Sequence, residues 1–342
     1  MRRTYLLTLL LVAAFVLSNC NLPRVSVVQA TETPSIAATP TNTAPPPASA
    51  PTAELGLAEN PLILALPPSA NSQAQIEAAK LIASQFNERT GYVVVTVTSD
   101  SSADLVDALE IGNAHIVLLE PYAYELAYQK GLAKAAFAVL NDGKSKYGAQ
   151  FIATRKAGFT SYFNPLNETN TVNASNIALA QFQDKKPCWS DEKSPSGYVI
   201  PLGYLNSNQV VTKPAAFVEG HPSVVRALYA SGICDFGATY IDARKFPSLE
   251  DEFPDLIEQV IVIWRIPEII PYDVLAFSTN MPQSMRDLFA NIIPAILQTE
   301  NGKAAFKTAY NIEELEPVND AFYIEFRKYI EESGVELSSL LK

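Results

Sequence analysis

Two serines and a glycine between a predicted strand and a predicted helix are the residues best suited to bind an anion. They are Ser194, Ser196 and Gly197, in the run KSPSG. The first turn of a helix offers unpaired backbone N–H groups and a partial positive charge. The hydroxyls add donors, and the glycine lets a ligand approach the backbone. Such a turn suits an oxyanion such as a phosphoryl group. The alternative is an ordinary helix N-cap, for which serine is a common residue.

His221 opens the next predicted helix, in the run EGHPS. Its imidazole could donate to the same oxyanion; alternatively, it caps the helix or packs locally. His115 begins a predicted strand and is expected to be structural. No nucleophile, base and orienting group occur together in the sequence, so we do not expect an enzyme.

Strands and helices alternate in the part of the chain that precedes these residues. The runs PLILALP, YVVVTVTS and HIVLLEP are predicted strands. Between the first two, Ile76, Ala79, Ala83 and Phe86 recur at helical spacing, and Gly91 ends that helix. Repeated alternation predicts parallel strands with crossover helices, an α/β fold.

A second unit carries the strands KPCWS and DFGATYI and the helices that begin at SPSG and HPSV. The segment VIVIWRIPEIIPYDVLAFST is then predicted to return the chain to the first unit. Lobe 1 would comprise 59–155 and 272–342, and lobe 2 would comprise 156–271. Hinge strands are expected near 150–160 and 264–275, with the ligand in the cleft between the lobes.

The N-terminus predicts secretion. Arg2 and Arg3, a short apolar run and then LSNC form a signal-like pattern too short to span a bilayer, which needs ~20 residues. The run resembles the lipobox of bacterial lipoproteins, with Asn19 where Gly, Ala or Ser is usual. Residues 1–19 would be the signal peptide, and Cys20 would carry a lipid anchor. The alternative is a plain signal peptide with an incidental cysteine. The Thr/Pro/Ala-rich residues 20–58 are a predicted spacer.

Composition narrows the classes of partner. The 342 residues are 48% hydrophobic and 18% charged, which supports a packed core, and the net charge is −11. So acidic a surface argues against nucleic acid as a partner. Cys188 and Cys234 form either a disulfide or two separate buried thiols. The scattered histidines and cysteines lack metal-ligand spacing, so we expect neither a metal nor a cofactor.

The wider pattern resembles the solute-binding proteins of phosphonate, phosphite and phosphate ABC transporters. The matching runs are SPSGYVIPLGYL, VEGHPSVVRALYASGICDFGATYIDA and VIWRIPEIIPYDVLAF, with a weaker match in ADLVDALEIGNAHIVLLEPYAYELA. They follow the family's order. The resemblance implies a two-lobed type II periplasmic-binding-protein-like fold with a ligand cleft between the lobes.

The resemblance also implies roles for individual residues. Ser194 and Ser196 would match the family's Ser-Thr-Ser anion cradle, and His221 its histidine donor. Asp242 and Asp273 would match acidic positions that face the ammonium group in aminophosphonate binders. Cleft carboxylates suit a zwitterion better than a bare anion. The alternative for each aspartate is a solvated loop charge or a helix cap.

The sequence departs from the family pattern at several positions. Pro195 replaces the usual threonine and removes a hydroxyl and a backbone N–H from the cradle. Ser102 and Leu119 lie where the family often has ligand-binding tyrosines. Nearby tyrosines, among them Tyr122, could substitute for them, and Glu120 would add negative charge if it points inward.

The resulting expectation is a lipid-anchored, monomeric binding protein outside the cytoplasmic membrane. It would capture a small oxyanion or zwitterionic phosphonate by hinge closure and deliver it to an ABC permease. The alternative is a ligand-sensing or structural surface lipoprotein on the same scaffold, with a different small-molecule ligand.

Overall fold

The computed structural model describes residues 54–341. The predicted signal peptide, Cys20 and most of the predicted spacer lie outside the described residues. The strands are β1 (Leu62–Leu66), β2 (Val94–Thr98), β3 (Ile116–Leu119), β4 (Ala133–Val139), β5 (Lys146–Thr154), β6 (Phe163–Asn164), β7 (Thr169–Asn170), β8 (Pro187–Trp189), β9 (Ala216–Phe217), β10 (Phe236–Tyr240), β11 (Val260–Pro271), β12 (Val274–Ser278) and β13 (Leu315–Pro317).

Helices connect most of these strands. A π-helical turn (Pro195–Val199) leads into the fifth helix, and a 3-10 helix (Asp320–Tyr323) leads into the last. The α-helices are α1 (Gln73–Thr90), α2 (Ser102–Glu110), α3 (Pro121–Gln129), α4 (Ser175–Leu179), α5 (Ile200–Ser207), α6 (His221–Ala230), α7 (Pro247–Glu252), α8 (Leu256–Gln259), α9 (Gln283–Leu297), α10 (Glu300–Tyr310) and α11 (Ile324–Ser333).

The first long helix shows how local sequence sets these bounds. At its N-terminus, Ser72 and Gln75 form a reciprocal capping box. At its C-terminus, Gly91 takes the left-handed conformation (φ 75°), which a glycine adopts without steric cost. The buried face of α1 includes Phe86, whose ring meets that of Phe289 on α9 edge-on at 5.0 Å. This face covers one side of the first sheet.

The first sheet has six strands in the order β13-β4-β12-β3-β1-β2. Strand β1 pairs in parallel with β2 and β3, whereas β12 runs antiparallel to β3 and β4. Buried side chains of α1, α9 and α10 pack in one apolar cluster, and those of α2 and α3 pack in another. The predicted α/β class is confirmed by this layered arrangement.

The second sheet has five strands in the order β11-β5-β10-β8-β9. Strand β10 is parallel to β8 and antiparallel to β5, and β5 is antiparallel to β11. A disulfide joins Cys188 in β8 to Cys234 just before β10, with the Cα atoms 5.6 Å apart. This bond fixes the strand that leads directly into the SPSG turn (Ser194–Gly197).

The chain passes from the first sheet to the second between β4 and β5, at residues 140–145, and returns between β11 and β12, at residues 272–273. We call the parts built on the two sheets the first half and the second half. The first crossing lies earlier than the predicted lobe boundary at 155/156. The reason is that β5 belongs to the second sheet through antiparallel pairing with β10 and β11, which no local pattern reveals.

The C-terminal tail also departs from the predicted lobe division. After β13 at the edge of the first sheet, α11 packs against α5 of the second half. The two helices approach closely at Gly203, where an added Cβ would lie 2.0 Å from the carbonyl oxygen of Tyr329. The tail therefore contacts both halves of the molecule. Across residues 54–341, no helix has the length and apolar character needed to cross a membrane.

Candidate functional site

The SPSG turn follows β8 and is buried. Ser194 and Ser196 are only 7% and 2% exposed. The Ser194 hydroxyl accepts a hydrogen bond from the Gly197 N–H at 3.0 Å, so this serine is the N-cap of the π-helical turn. The N-cap alternative therefore describes Ser194 in this structure. A hydroxyl that accepts one bond can still donate its proton, so the cap does not exclude a ligand contact.

His221 lies against this turn. Its Nε2 is 3.4 Å from the Ser194 hydroxyl oxygen, and its ring meets the Tyr240 ring edge-on at 4.8 Å. Its Nδ1 is buried without a hydrogen-bond partner in the described part of the chain. Burial lowers the pKa of His221, and the negative charge of Asp191 opposes this only in part. The ring is therefore neutral at pH 7, with one donor and one acceptor nitrogen.

Gly197 is what allows the turn and the histidine to meet. A Cβ at this position would lie 1.9 Å from the Ser190 hydroxyl oxygen and 2.9 Å from Cε1 of His221. Ser190 further ties the two segments together, because its N–H donates to the Gly197 carbonyl and its own carbonyl accepts from the Gly220 N–H. Any side chain at Gly197 would push the start of α6 away from the turn.

Tyr147, at the start of β5, is a site residue that the sequence analysis missed. Burial raises its pKa to about 12, and the neighbouring Ser196 hydroxyl opposes this shift only in part. Its ring lies 5.1 Å from that of Tyr272 in the returning crossing. The only signal in the sequence is an aromatic residue at the start of a strand, and this does not identify a ligand site.

Tyr122 reaches the same region from the first half. It is the second residue of α3, it is 5% exposed, and among the described residues its hydroxyl has no hydrogen-bond partner. Burial raises its pKa well above 10, and the charges of Tyr147, Asp191 and Glu120 add to the shift. Groups from both halves therefore act on one buried hydroxyl, which places Tyr122 where the two halves face each other.

Asp273 lies in the returning crossing between β11 and β12. More than a third of the residue is exposed, yet burial of its carboxyl group, followed by the charge of Glu120, raises its pKa to about 6. Tyr272 and Asp273 line a cavity of about 430 Å³ together with residues 139–143 and 310–314.

Asp242 does not fit the role that the resemblance implied. Its side chain is 4% exposed and accepts bonds from Nε and Nη2 of Arg244, at 2.9 and 2.6 Å. Gln150 donates a third bond at 2.7 Å. Burial alone would raise the pKa of Asp242, but Arg244 and Gln150 outweigh it, and the pKa is lowered. A carboxylate already neutralised in this way offers no net charge to a ligand's ammonium group.

Ser102 lies at the edge of the first sheet. It is the first residue of α2, directly after the capping residue Ser101, and it is partly buried. Leu119 is the last residue of β3 and is fully buried, so it cannot supply the polar contact that a tyrosine would. Neither residue is among the described contacts of the SPSG turn.

The hydroxyl and imidazole donors at the turn are neutral, and Lys193 directly precedes the turn in the sequence. The groups that shift the pKa values of His221 and Asp273 include no lysine or arginine within residues 54–341. Hydroxyls, a neutral imidazole and backbone N–H groups can bind a small oxyanion without a basic residue. Asp273 and Glu120 add a second, acidic end to this arrangement.

The chain belongs to the family described as the periplasmic substrate-binding protein of phosphonate ABC transporters. The sequence model of this family matches residues 64–323. The family is one of substrate-binding transport proteins, which agrees with the expectation that the chain is not an enzyme. The two-lobed type II periplasmic-binding-protein fold that the sequence predicted for this chain is confirmed.

Individual relatives are distant. The chain is 26% identical over 196 residues to the phosphate-import protein PhnD of Mycolicibacterium smegmatis, a match that covers 54% of this chain and 56% of that protein. The structure resembles XAC2383 from Xanthomonas citri bound to ATP, with a TM-score of 0.55 and 15% identity over 82% of this chain and 97% of that one. Transferrin 1 from Manduca sexta has a TM-score of 0.51 and 9% identity over 82% of this chain and 47% of that one.

Proposed function

We propose that the protein is the extracytoplasmic binding component of an ABC importer and that its ligand is a small zwitterionic phosphonate. The observation that carries this proposal is the cluster of neutral donors at the SPSG turn, which is supported by the uncompensated carboxyl group of Asp273 in the returning crossing. Ser194, Ser196 and His221 would hold the phosphonate oxygens, and Asp273 would face the ammonium group.

The charge of the cleft favours a zwitterion over a bare anion. Asp273 and Glu120 would repel a phosphate dianion, and the net charge of −11 adds a repulsive field around the whole chain. An ammonium group beside Asp273 turns this repulsion into attraction. Gly197 lets His221 lie against the SPSG turn, and the buried hydroxyl of Tyr122 has no hydrogen-bond partner in the described part of the chain. Ser102, the first residue of α2, would contact the ligand only in a closed state.

Two relatives support the phosphoryl part of the assignment. One is named a phosphate-import protein, and the other was solved bound to ATP. Both names concern those proteins. The SPSG turn of this chain offers hydroxyl and N–H donors that suit such tetrahedral oxyanions.

The transport role includes capture, closure and delivery. Ligand contacts from both halves would stabilise a closed state relative to an open one. The mature chain would be a monomer, anchored to the membrane by lipid on Cys20 and carried on the spacer 20–58, where it would meet an ABC permease. This arrangement keeps a diffusing ligand close to the transporter.

A thermal-shift panel on the full chain tests the ligand class. We expect 2-aminoethylphosphonate to raise the Tm most, with smaller shifts for methylphosphonate, phosphite and phosphate, because a ligand that binds only the folded state stabilises it by mass action. The matched control is ethanolamine, which keeps the ammonium group and lacks the phosphonate. A shift with amino acids or sugars but with no phosphorus compound would contradict the proposal.

A further inference from the structure

The chain has two histidines, His115 and His221, and both rings are neutral at pH 7 because burial lowers the pKa of each. A neutral imidazole carries one proton, on either Nδ1 or Nε2. The hydrogen bonds around the ring decide which nitrogen holds this proton. The tautomer of a histidine therefore determines which of its two nitrogens can donate to a ligand.

His115 is held in one tautomer by the backbone. Its Nδ1 accepts a hydrogen bond from the N–H of Ile63 in β1, at 3.1 Å. A ring nitrogen that accepts a hydrogen bond cannot carry the proton, so His115 holds its proton on Nε2. This residue lies in the first sheet, apart from the SPSG turn, and serves as an internal reference for His221.

The tautomer of His221 depends on the hydroxyl of Ser194. The Ser194 oxygen accepts from the Gly197 N–H at 3.0 Å and lies 3.4 Å from Nε2 of His221, and these are its two hydrogen bonds among residues 54–341. If Ser194 donates to Nε2, only the Nδ1 proton of His221 lacks a partner. If Nε2 donates instead, the Ser194 proton and the Nδ1 lone pair both lack one. Unpaired buried polar groups cost free energy, which favours the first arrangement.

The favoured arrangement leaves a buried N–H group at the SPSG turn. Nδ1 of His221 has no hydrogen-bond partner in the described part of the chain. The ring edge that carries both nitrogens lies against the turn, because a Cβ at Gly197 would be 2.9 Å from Cε1, the atom between them. An oxyanion would supply the acceptor that this N–H lacks, whereas the lone pair of the other tautomer would repel the oxyanion.

We propose that the Ser194 hydroxyl holds His221 in the Nδ1–H tautomer and that this N–H is the imidazole donor to the bound oxyanion. Ser194 is then a positioning residue, which acts on the ligand through His221. Ser196 and His221 make the direct contacts. The donor role rests on the proposed function and refines it at Ser194, whereas the tautomer is a property of the ligand-free chain.

Nitrogen-15 NMR of the ligand-free full chain, labelled at histidine, tests the tautomer. Two imidazoles contribute signals, and the variant His221→Gln, which keeps only His115, assigns them. A protonated ring nitrogen resonates far upfield of an unprotonated one. We expect the long-range proton–nitrogen spectrum to show the proton on Nε2 in His115 and on Nδ1 in His221.

Two substitutions separate the effect of Ser194 on the histidine from its effect as an N-cap. Ser194→Thr keeps the hydroxyl and should keep the Nδ1–H tautomer. Ser194→Ala removes the donor to Nε2, so we expect an Nε2–H signal of His221 to appear and 2-aminoethylphosphonate to bind about tenfold more weakly. Thr299→Ala is the matched control, because Thr299 also caps a helix by accepting from a glycine N–H, that of Gly302, at 3.0 Å. Its histidine signals should equal those of the wild type.

Three results would overturn the proposal. The first is a wild-type His221 that carries its proton on Nε2 or populates both forms equally. The second is an unchanged His221 tautomer in Ser194→Ala. The third is an Nδ1–H signal of His221 that does not move when 2-aminoethylphosphonate binds. If no phosphorus compound binds, the proposed function fails, while the ligand-free spectra still decide whether Ser194 sets the tautomer.

Discussion

Two aspartates that the sequence could not tell apart have opposite electrostatic environments. Asp242 is enclosed by Arg244 and Gln150 and has a lowered pKa. Asp273 has no basic partner among the groups that shift its pKa, which is raised. Only the second has uncompensated charge to offer a ligand. The difference comes from Gln150 and Arg265, which β5 and β11 place near Asp242, and from Arg244 two residues further along the chain.

The raised pKa of Asp273 leads to a prediction for stability. Its folded-state pKa of about 6 lies above the ordinary 3.8, so the charged form costs folding free energy. This cost is absent below roughly pH 4 and fully present above pH 6. Asp273→Asn should therefore raise the Tm of the ligand-free chain at pH 8 and leave it unchanged at pH 3.5. Solvent screening limits the gain to roughly 1 kcal/mol.

The same variant tests whether Asp273 contacts the ammonium group of the proposed ligand. Asp273→Asn should weaken 2-aminoethylphosphonate about tenfold in a calorimetric titration, because one charge-assisted contact is lost, and should leave methylphosphonate unchanged or tighter. Asp242→Asn is unsuitable as a control because it breaks the pair with Arg244. Glu250→Gln, at an exposed site of α7 in the second half, serves instead. Equal weakening of both ligands would contradict the role given to Asp273.

The donor cluster gives a second prediction at this scale. Ser196→Ala and His221→Ala should each weaken every phosphonate in the panel by about tenfold, since each removes a buried donor that no water can replace. Ser223→Ala, on the first turn of the same α6, is the control for His221→Ala. Unchanged affinity in both cluster variants, measured by calorimetry, would show that the cluster does not bind the ligand.

At the scale of elements, the disulfide holds the strand that precedes the SPSG turn. It closes a sequence separation of 46 residues, and a crosslink of this length stabilises a protein by about 2–4 kcal/mol, chiefly by restricting the unfolded chain. Replacing Cys188 and Cys234 by alanine should lower the urea midpoint accordingly. The wild type with reductant should shift in the same direction, and the alanine variant should not respond to reductant. A wild-type urea midpoint that does not change with reductant would contradict the disulfide.

Elements with strong local signals were predictable. The helical spacing of apolar residues and the glycine stop predicted α1, and runs of branched apolar residues predicted β2 and β3. The SPSG turn was found because cap residues and glycine are local signals. Tyr147 was missed because its role depends on pairing between strands distant in sequence. The same reason explains the early crossing at 140–145 and the position of α11.

At the scale of the whole molecule, the proposed site needs polar groups from both halves. The second half supplies hydroxyl, N–H and imidazole donors, and the first half supplies Tyr122 and the acidic pair of Glu120 and Asp273. The two crossings and α11 connect the halves. Under the proposed function, a ligand that contacts both halves would stabilise a closed arrangement of them relative to an open one.

The most direct test of the central claim is a crystal structure of the chain grown with 2-aminoethylphosphonate. We predict a phosphonate group within hydrogen-bonding distance of Ser196 and His221, with the ammonium group beside Asp273 and the halves closed over it. A ligand bound elsewhere, or bound with its ammonium group pointing toward the SPSG turn, would contradict the account.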